Sequence, residues 1–217
     1  MIDLHIHSIY SDGTASIDEI ARKAKERGLK VIAIVDHSLE HRKGITEDKL
    51  KKRQMDIENA KDKYDMEILS GIECGILPDG DIALPNFKFD IVIASIHDLM
   101  FTEEYYWRIK ECLKKNCDKI DVLGHLHSEM FNCGRDFSKD AEIIDLLIEY
   151  DIALEINSLH RAPPIDFLEM CSNKIVKYSV GSDAHNLDRV GEVRWCFEMA
   201  KKLKRGKFIL NKNIIKS

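Results

Sequence analysis

The sequence predicts an α/β protein that folds as a TIM-like barrel of seven βα units. Three observations lead to this prediction. Short runs rich in Ile and Val alternate with amphipathic stretches along the chain of 217 residues. The apolar runs are mostly continuous, as in parallel strands that are covered on both faces. Histidines and carboxylates follow nearly every apolar run, and a barrel would gather these strand ends around one mouth.

Seven strands are predicted, and each corresponds to one short apolar run. In chain order they are Ile2–His5, Val31–Asp36, Glu67–Ile72, Ile91–Ile96, Asp121–Gly124, Ile152–Ile156 and Val176–Gly181. A doubly wound sheet would concentrate its site at one switch point between strands. Because chemically active residues follow almost all seven strands, we favour the closed barrel, as a single domain over residues 1–217.

The helices are predicted from capping residues and apolar periodicity. The first begins with a capping box, Ser16-Ile-Asp-Glu19, and ends at Gly28. A long polar helix follows, and the basic residues 49–53 on it predict a solvated face. The turn Pro78-Asp-Gly80 predicts a small hairpin after the third strand. The helices after the first are predicted at Thr46–Lys63, Thr102–Lys115, Ser138–Tyr150, Ile165–Cys171 and Leu187–Lys204.

Composition and charge narrow the function classes. Apolar residues make up 44% of the chain, which is enough for a large core, and the net charge is −5. An acidic protein is not suited to broad electrostatic binding of nucleic acid. No run approaches the roughly 18–20 apolar residues that span a membrane, so we expect no membrane partner. The start, MIDLHIH, resembles a strand and not a secretion signal.

Cysteine usage agrees with a reducing compartment. None of the six cysteines forms a Cys-x-x-Cys pair, and we expect reduced thiols with packing roles in a cytoplasmic protein. They are Cys74, Cys112, Cys117, Cys133, Cys171 and Cys196.

Nine candidate metal ligands lie at the predicted strand ends. A single histidine at such a position is usually an ordinary core or rim residue. Six strand ends that carry imidazoles and carboxylates are different, because packing them together without metal would cost several kcal/mol in desolvation and repulsion. Divalent cations remove that cost. The predicted ligands are His5, His7, Asp12, His37, Glu73, His97, His125, Asp183 and His185.

The motifs that carry these ligands resemble those of the PHP (polymerase and histidinol phosphatase) family. The resemblance runs from residue 2 to about residue 200. It rests on Asp3-Leu-His-Ile-His-Ser8, Ser11-Asp-Gly13, Val35-Asp-His37, Gly71-Ile-Glu73, Ser95-Ile-His97, Gly124-His125 and Gly181-Ser-Asp-Ala-His185.

The resemblance implies a distorted (β/α)7 barrel with two or three divalent metal ions. It assigns one ion to His5, His7, Glu73 and Asp183. Glu73 would bridge to a second ion on His97 and His125, and a third would lie on Asp12, His37 and His185. In family members with three metals, the position of Asp12 can be histidine.

The donor set and the resemblance together predict the chemistry. The ligands are nitrogen and oxygen donors, which fit Zn, Mn or Fe. A hydroxide activated by the metals would attack phosphorus. We expect Glu73, Asp183 and His185 to be catalytic.

Substrate contacts are predicted at three further residues. Arg161 has a guanidinium that could fork onto a phosphate. Asn157 belongs to a Glu155-x-Asn157 pattern that resembles the family's pattern at the sixth strand, and we expect it to touch substrate or to orient a ligand. His127 lies two residues after His125 and could point the same way. Arg135 and Arg189 are weaker candidates for a phosphate contact. His160 is a less certain histidine after the sixth strand, and we expect His41 to be solvated in a charged loop that could cover the mouth.

The predicted function is hydrolysis of the phosphate monoester of a small metabolite, such as histidinol phosphate or a nucleotide. The alternative is a freestanding nuclease or exonuclease, or a proofreading-type phosphodiesterase that accompanies a polymerase. Nucleic acid is expected only as the substrate of such an activity and not as a binding partner. An RNA-associated scaffold is disfavoured because the ligand set is complete. An amidohydrolase is disfavoured because Glu73 and His97 stand where a bridging Lys would be needed. The sequence does not predict an oligomeric state.

Overall fold

The computed structural model describes residues 1–131 and 134–210, and in them eight parallel strands form one curved sheet with helices outside it. Seven strands correspond to the predicted ones, and a short eighth strand was not predicted. The strands are β1 (Ile2–Ile6), β2 (Val31–His37), β3 (Glu67–Gly75), β4 (Ile91–Ser95), β5 (Val122–Leu123), β6 (Ala153–Asn157), β7 (Lys177–Gly181) and β8 (Lys207–Phe208).

The sheet curls so that β1 and β7 meet at their carboxyl ends. Ile6 and Ala184 form a parallel bridge, and the amide of His7 donates to the carbonyl of Ala184 at 2.9 Å. At the other end of β7, Lys177 pairs with Lys207 of β8. The predicted TIM-like barrel is confirmed, and its closure at the carboxyl ends brings the ligand-bearing strand ends together.

Continuous burial explains the strand assignments. Every residue of β1, β2, β4 and β6 is buried, as expected for parallel strands with cover on both faces. One apolar cluster includes Leu4, Ala33 and Ile93, whereas Ile32 and Ile34 pack in another cluster with the first helix.

Six α-helices are described, and several begin or end where predicted. The capping box of Ser16 and Glu19 is present, and the first helix ends before Gly28, which has a φ of +71°. The predicted hairpin is confirmed by a bridge between Ile76 and Ile82. The helices are α1 (Ile17–Glu26), α2 (Glu47–Tyr64), α3 (Thr102–Lys115), α4 (Phe137–Glu149), α5 (Ile165–Cys171) and α6 (Arg194–Ala200).

The last predicted helix, Leu187–Lys204, was wrong as a continuous element. A 3-10 turn at Leu187–Arg189 precedes α6, and the chain bends between them. Gly191 adopts a φ of +82°, and its amide donates to the buried carboxylate of Asp3. That long-range contact outweighs the local helical pattern.

The predicted solvated face of residues 49–53 needs a correction at Arg53. This side chain is completely buried, and its Nε donates to Asp36 at 2.6 Å. Asp36 also accepts from the hydroxyl of Ser8 at 2.9 Å and from that of Ser11 at 2.8 Å. Arg53 therefore supports the loop that carries His7 and Asp12.

The described cysteines have packing roles. Cys74, Cys112, Cys171 and Cys196 are buried free thiols, and Cys117 is a half-buried one. Cys133 lies outside the described residues. Among the described helices, none is both long and apolar enough to cross a membrane.

Candidate metal centre

The structure brings all nine predicted ligands to the carboxyl end of the barrel. Their donor atoms form overlapping groups, and within each group the atoms lie within 4.8 Å of one another. The groups are His7 with Asp12, His37 and His185; His5 with His7 and Asp183; His37 with Glu73 and His97; and His125 with His160 and Asp183.

His5 and His7 present their ring nitrogens to one point. The two Nε2 atoms lie 3.1 Å apart. Two nitrogens that bind one zinc ion at tetrahedral or octahedral angles would lie about 2.8–3.4 Å apart, given the usual Zn–N bond length. This pair therefore has the spacing of a chelating pair.

Glu155 fixes the orientation of His5. Its Oε1 lies 2.6 Å from Nδ1 of His5, so Nδ1 carries the proton and Nε2 keeps its lone pair for a cation. Its Oε2 accepts from the amide of His125 at 2.8 Å. A side chain at Gly181 would collide with His5 and Glu155, which explains the glycine there.

Glu73 lies at the centre of the cluster. Its Oε1 is 3.1 Å from Nε2 of His125 and 3.3 Å from Nε2 of His97. Its Oε2 is 3.5 Å from Nε2 of His5 and 3.0 Å from Nδ1 of His37. The two oxygens thus face different sets of histidines, which is the arrangement of a carboxylate that can bridge two cations.

Asp12 and His185 define one side of the cluster. Oδ2 of Asp12 lies 3.3 Å from Nε2 of His185 and 3.7 Å from Nε2 of His37. The ring of His185 stacks on that of His7 with centroids 4.1 Å apart. These three groups and His37 surround a second point, distinct from the one that His5 and His7 share.

Asp183 is held in a conformation that few residues adopt. Its φ is +55°, in the left-handed region where Asp is among the more tolerant side chains. Its amide donates to the carbonyl of His5 at 2.9 Å. The turn directs Oδ1 to within 3.3 Å of Nε2 of His7 and Oδ2 to within 3.2 Å of Nε2 of His160. Such strain is a common feature of functional sites.

The ionisation of the cluster favours a bound cation. Burial lowers the pKa of His7 to about 4, so this ring is neutral, which is the form that binds metals. Burial would raise the pKa of Glu73, but the imidazoles of His97, His5 and His37 hold it well below its usual range. Burial would likewise lower the pKa of His5, but Glu155, Asp183 and Glu73 raise it well above its usual value. The carboxylates therefore attract positive charge to this point.

The residues fit divalent metal ions. Nδ1 of His7 is buried without a hydrogen-bond partner among the described residues. Nδ1 of His37 lies near Glu73 but makes no hydrogen bond with it, because the geometry is unsuitable. The cluster combines three carboxylates with six imidazoles, and these nitrogen and oxygen donors are the ligands of Zn, Mn and Fe.

His160 belongs to the cluster, although it was only a weak candidate in the sequence. Its Nδ1 lies 2.8 Å from the hydroxyl of Ser128, and its ring centroid is 4.6 Å from that of His125. It follows the end of β6 by three residues. The other ligands were predicted because they follow the end of an apolar strand, and His160 also follows one. The signal is weaker for His160, because β6 itself ends at Asn157, which is not a typical metal ligand.

Asn157 is placed to orient a ligand. It is fully buried, and its amide donates to Glu155 Oε2 and to Asp183 Oδ2, both at 3.1 Å. Of the two roles predicted for Asn157, this placement favours the orientation of a ligand over contact with substrate.

His127 and Arg161 lie apart from the ligand cluster. His127 has a φ of +60°, and its Nε2 lies 2.7 Å from Asp140 in a pocket with Tyr105 and Tyr106. The guanidinium of Arg161 lies 5.1 Å over the ring of Trp195. The structure does not bring either side chain to the ligands, so neither placement supports the predicted substrate contact.

A cavity of about 460 Å³ opens above the ligands, which is in the usual range for a small-molecule site. His41 lies at its edge, with its ring 4.1 Å from that of His37. The other lining residues are Asp12, His37, His97, His125, Met130, Phe131, Leu159, His160, Asp183 and His185.

Comparisons with known proteins identify the family of this chain. The family model described as PHP domain matches residues 3–159. A probable phosphatase of Caldanaerobacter subterraneus is 32% identical over 212 residues, which cover 88% of this chain and 78% of that protein. The DNA polymerase/3'-5' exonuclease PolX of Bacillus subtilis is 29% identical over 211 residues, 92% of this chain, but this chain spans only 37% of that protein.

A solved structure has the same fold. The histidinol phosphate phosphatase of Lactococcus lactis, in complex with zinc, L-histidinol and phosphate, matches with a TM-score of 0.70 at 20% identity. The match covers 94% of this chain and 92% of that one.

Proposed function

This chain belongs to the PHP domain family of metal-dependent phosphoesterases, and we propose that it hydrolyses the phosphate monoester of a small metabolite. Histidinol phosphate and nucleotides are the substrates that we would test first. The observation that carries the proposal is the position of Glu73 between two sets of histidines, of which His37, His97 and His125 line a cavity of about 460 Å³. Such a cavity admits a small phosphorylated molecule.

We assign the predicted ligands to two or three cations. His5, His7, Glu73 and Asp183 would hold one ion, and Glu73 with His97 and His125 a second. Asp12, His37 and His185 would hold a third. Bound divalent ions lower the pKa of water and neutralise the charge on phosphoryl oxygens.

The protein's own residues keep this donor set in place. Glu155 holds the proton of His5 at Nδ1, and Asn157 donates to Asp183. Arg53 and Asp36 hold the loop between His7 and Asp12. Orientation of this kind tunes ligand basicity and metal affinity.

Exonuclease activity is the second candidate. The similarity to the polymerase and exonuclease of Bacillus subtilis, which covers 92% of this chain, favours it. A phosphodiester requires the same neutralisation of oxygen charge, but the site must also admit the chain on both sides of the cleaved phosphate.

The test is phosphate release from a panel of monoesters by protein purified without chelator and supplied with Mn or Zn. His185→Ala is the control for the ligand set. We expect release from one class of metabolite and loss of release in the variant. Release of nucleotides from a single-stranded oligonucleotide, without monoester hydrolysis, would instead establish the second candidate.

A further inference from the structure

The cavity above the ligands is lined by two chemically different sets of residues. One set consists of imidazoles and carboxylates, and the other consists of the apolar residues Met130, Phe131 and Leu159. We call these three residues the apolar wall. The side chain of Met130 is 64% exposed. An exposed apolar surface beside a polar centre is available to bind a ligand.

Phe131 lies directly beside the predicted ligands of the second cation. Its ring centroid is 5.8 Å from those of His97 and His125 and 5.9 Å from that of His160. These distances are in the range of aromatic ring contacts. A phosphate on a cation held by His97 and His125 would lie beside this ring, so the rest of the substrate could contact it.

Lysine and arginine side chains do not line this cavity in the part of the chain that the structure describes. Arg135 is held by Asp140 and Asp166, each at 2.6 Å, and Arg161 stacks on Trp195. Arg42 lines an adjoining cavity of about 310 Å³, which shares His41 and His97 with the cavity above the ligands. The apolar wall itself offers apolar contact but no cation for a second anionic group.

We propose that the substrate carries a single phosphate on a flat, apolar leaving group such as an aromatic alcohol, which packs against Phe131, Met130 and Leu159. This inference rests on the monoesterase activity proposed above. A planar ring matches the face of Phe131, and Met130 adapts to its outline. Substrates with a second phosphate would place charge against the apolar wall, which is unfavourable.

The experiment compares three phosphate esters of primary alcohols with the metal-loaded full chain. Benzyl phosphate has a flat apolar leaving group, glycerol phosphate has a polar one, and a propanediol bisphosphate has a second anion. Their leaving groups are similar at the reacting oxygen, so the remainder of the molecule accounts for most of the difference. We expect kcat/KM for benzyl phosphate to exceed that for the other two by about 10-fold or more, from the burial of the ring.

The variant Phe131→Ala tests the wall itself. We expect kcat/KM for benzyl phosphate to fall about 10-fold to 100-fold. The fall should appear in KM, because the contact exists equally in the ground state and in the transition state. The loss for glycerol phosphate should be smaller than the loss for benzyl phosphate, and Phe131→Leu should retain part of the preference.

Phe101→Ala is the matched control, because Phe101 is 86% exposed and does not line the cavity. It should leave all three esters unchanged. Three outcomes would overturn the proposed substrate class and leave the monoesterase activity intact. They are equal kcat/KM for the three esters, a preference for the bisphosphate, and an equal loss of kcat/KM for all esters in Phe131→Ala. Release from none of the esters, together with cleavage of an oligonucleotide, would overturn the proposed function itself.

Discussion

Two buried groups of histidine and carboxylate lie near each other in this fold, and they differ in how their charge is balanced. The metal centre combines its imidazoles with Asp12, Glu73 and Asp183. The second group, which we call the Asp140 cluster, consists of Tyr106, His127, Arg135 and Asp140. In this cluster Asp140 accepts from Tyr106 at 2.7 Å, from His127 at 2.7 Å and from Arg135 at 2.6 Å.

The comparison shows what distinguishes a metal site from a structural network. Arg135 supplies the positive charge that Asp140 needs, so the Asp140 cluster is complete without a cofactor. Among the described residues, Asp12, Glu73 and Asp183 pair with histidines and with no lysine or arginine. Nδ1 of His7 also has no hydrogen-bond partner among the described residues. We therefore expect cation removal to affect only the metal centre.

The largest expected effect is on activity at Glu73. Glu73→Ala removes the carboxylate that faces both sets of histidines, and we expect kcat/KM to fall about 1000-fold or more, since a bound cation is worth several kcal/mol to the transition state. Phosphate release and metal content measured on the same sample check this. Chelation should abolish activity in the wild type, and added Mn or Zn should restore it. Full turnover in Glu73→Ala would rule out the proposed mechanism.

The next largest effect is on stability at Asp140. Asp140→Asn leaves Arg135 and His127 without their buried anion, and we expect the free energy of unfolding to fall by about 3 kcal/mol. Urea denaturation measures this. Asp166→Asn is the matched control, because the exposed carboxylate of Asp166 contacts the same arginine, and it should cost less than about 1 kcal/mol. The metal content should stay unchanged in both variants. Loss of metal in Asp140→Asn would contradict the conclusion that the Asp140 cluster is independent of the metal centre.

The third prediction compares the loss of activity or metal affinity in variants of His160 and His127, and this effect is expected to be smaller. His160→Gln removes a ring that lies 3.2 Å from Asp183, and we expect metal affinity or activity to fall about 10-fold to 100-fold. His127→Gln should change activity by less than about 3-fold, because its ring faces Asp140. Titration of the metal and steady-state kinetics of both variants measure the difference. A larger activity loss in His127→Gln would support the substrate contact that the sequence predicted for His127.

The smallest effect is a dependence of stability on pH. Burial would raise the pKa of Asp140, but hydrogen bonds from His127, Tyr106 and Arg135 lower it below its usual value. A carboxyl whose folded pKa is depressed contributes stability above its unfolded pKa, about 4, and loses that stability as the pH falls through the folded pKa. The difference in unfolding free energy between wild type and Asp140→Asn should therefore shrink below about pH 4. A constant difference from pH 7 to pH 3 would contradict this assignment.

Seven strands and most helices followed from local pattern alone. Continuous apolar runs and the capping box at Ser16 involve residues that are close in the sequence. The strands and the start of the first helix could therefore be predicted without knowledge of distant contacts. The clustering of the nine predicted ligands followed because parallel strands end on one side of a barrel, and this inference needs only the strand order and no side-chain detail.

Tertiary structure decided the remaining features, because each depends on a contact between distant residues. Gly191 breaks the last helix to reach Asp3. Arg53 leaves the solvated face of α2 to pair with Asp36. His127 and His160 both follow strands, but the left-handed φ of His127 turns its ring to Asp140, whereas the loop after β6 brings His160 to Asp183. The sequence determined which residue types collect at the barrel mouth, and the loop conformations decided which of them join the predicted ligand cluster.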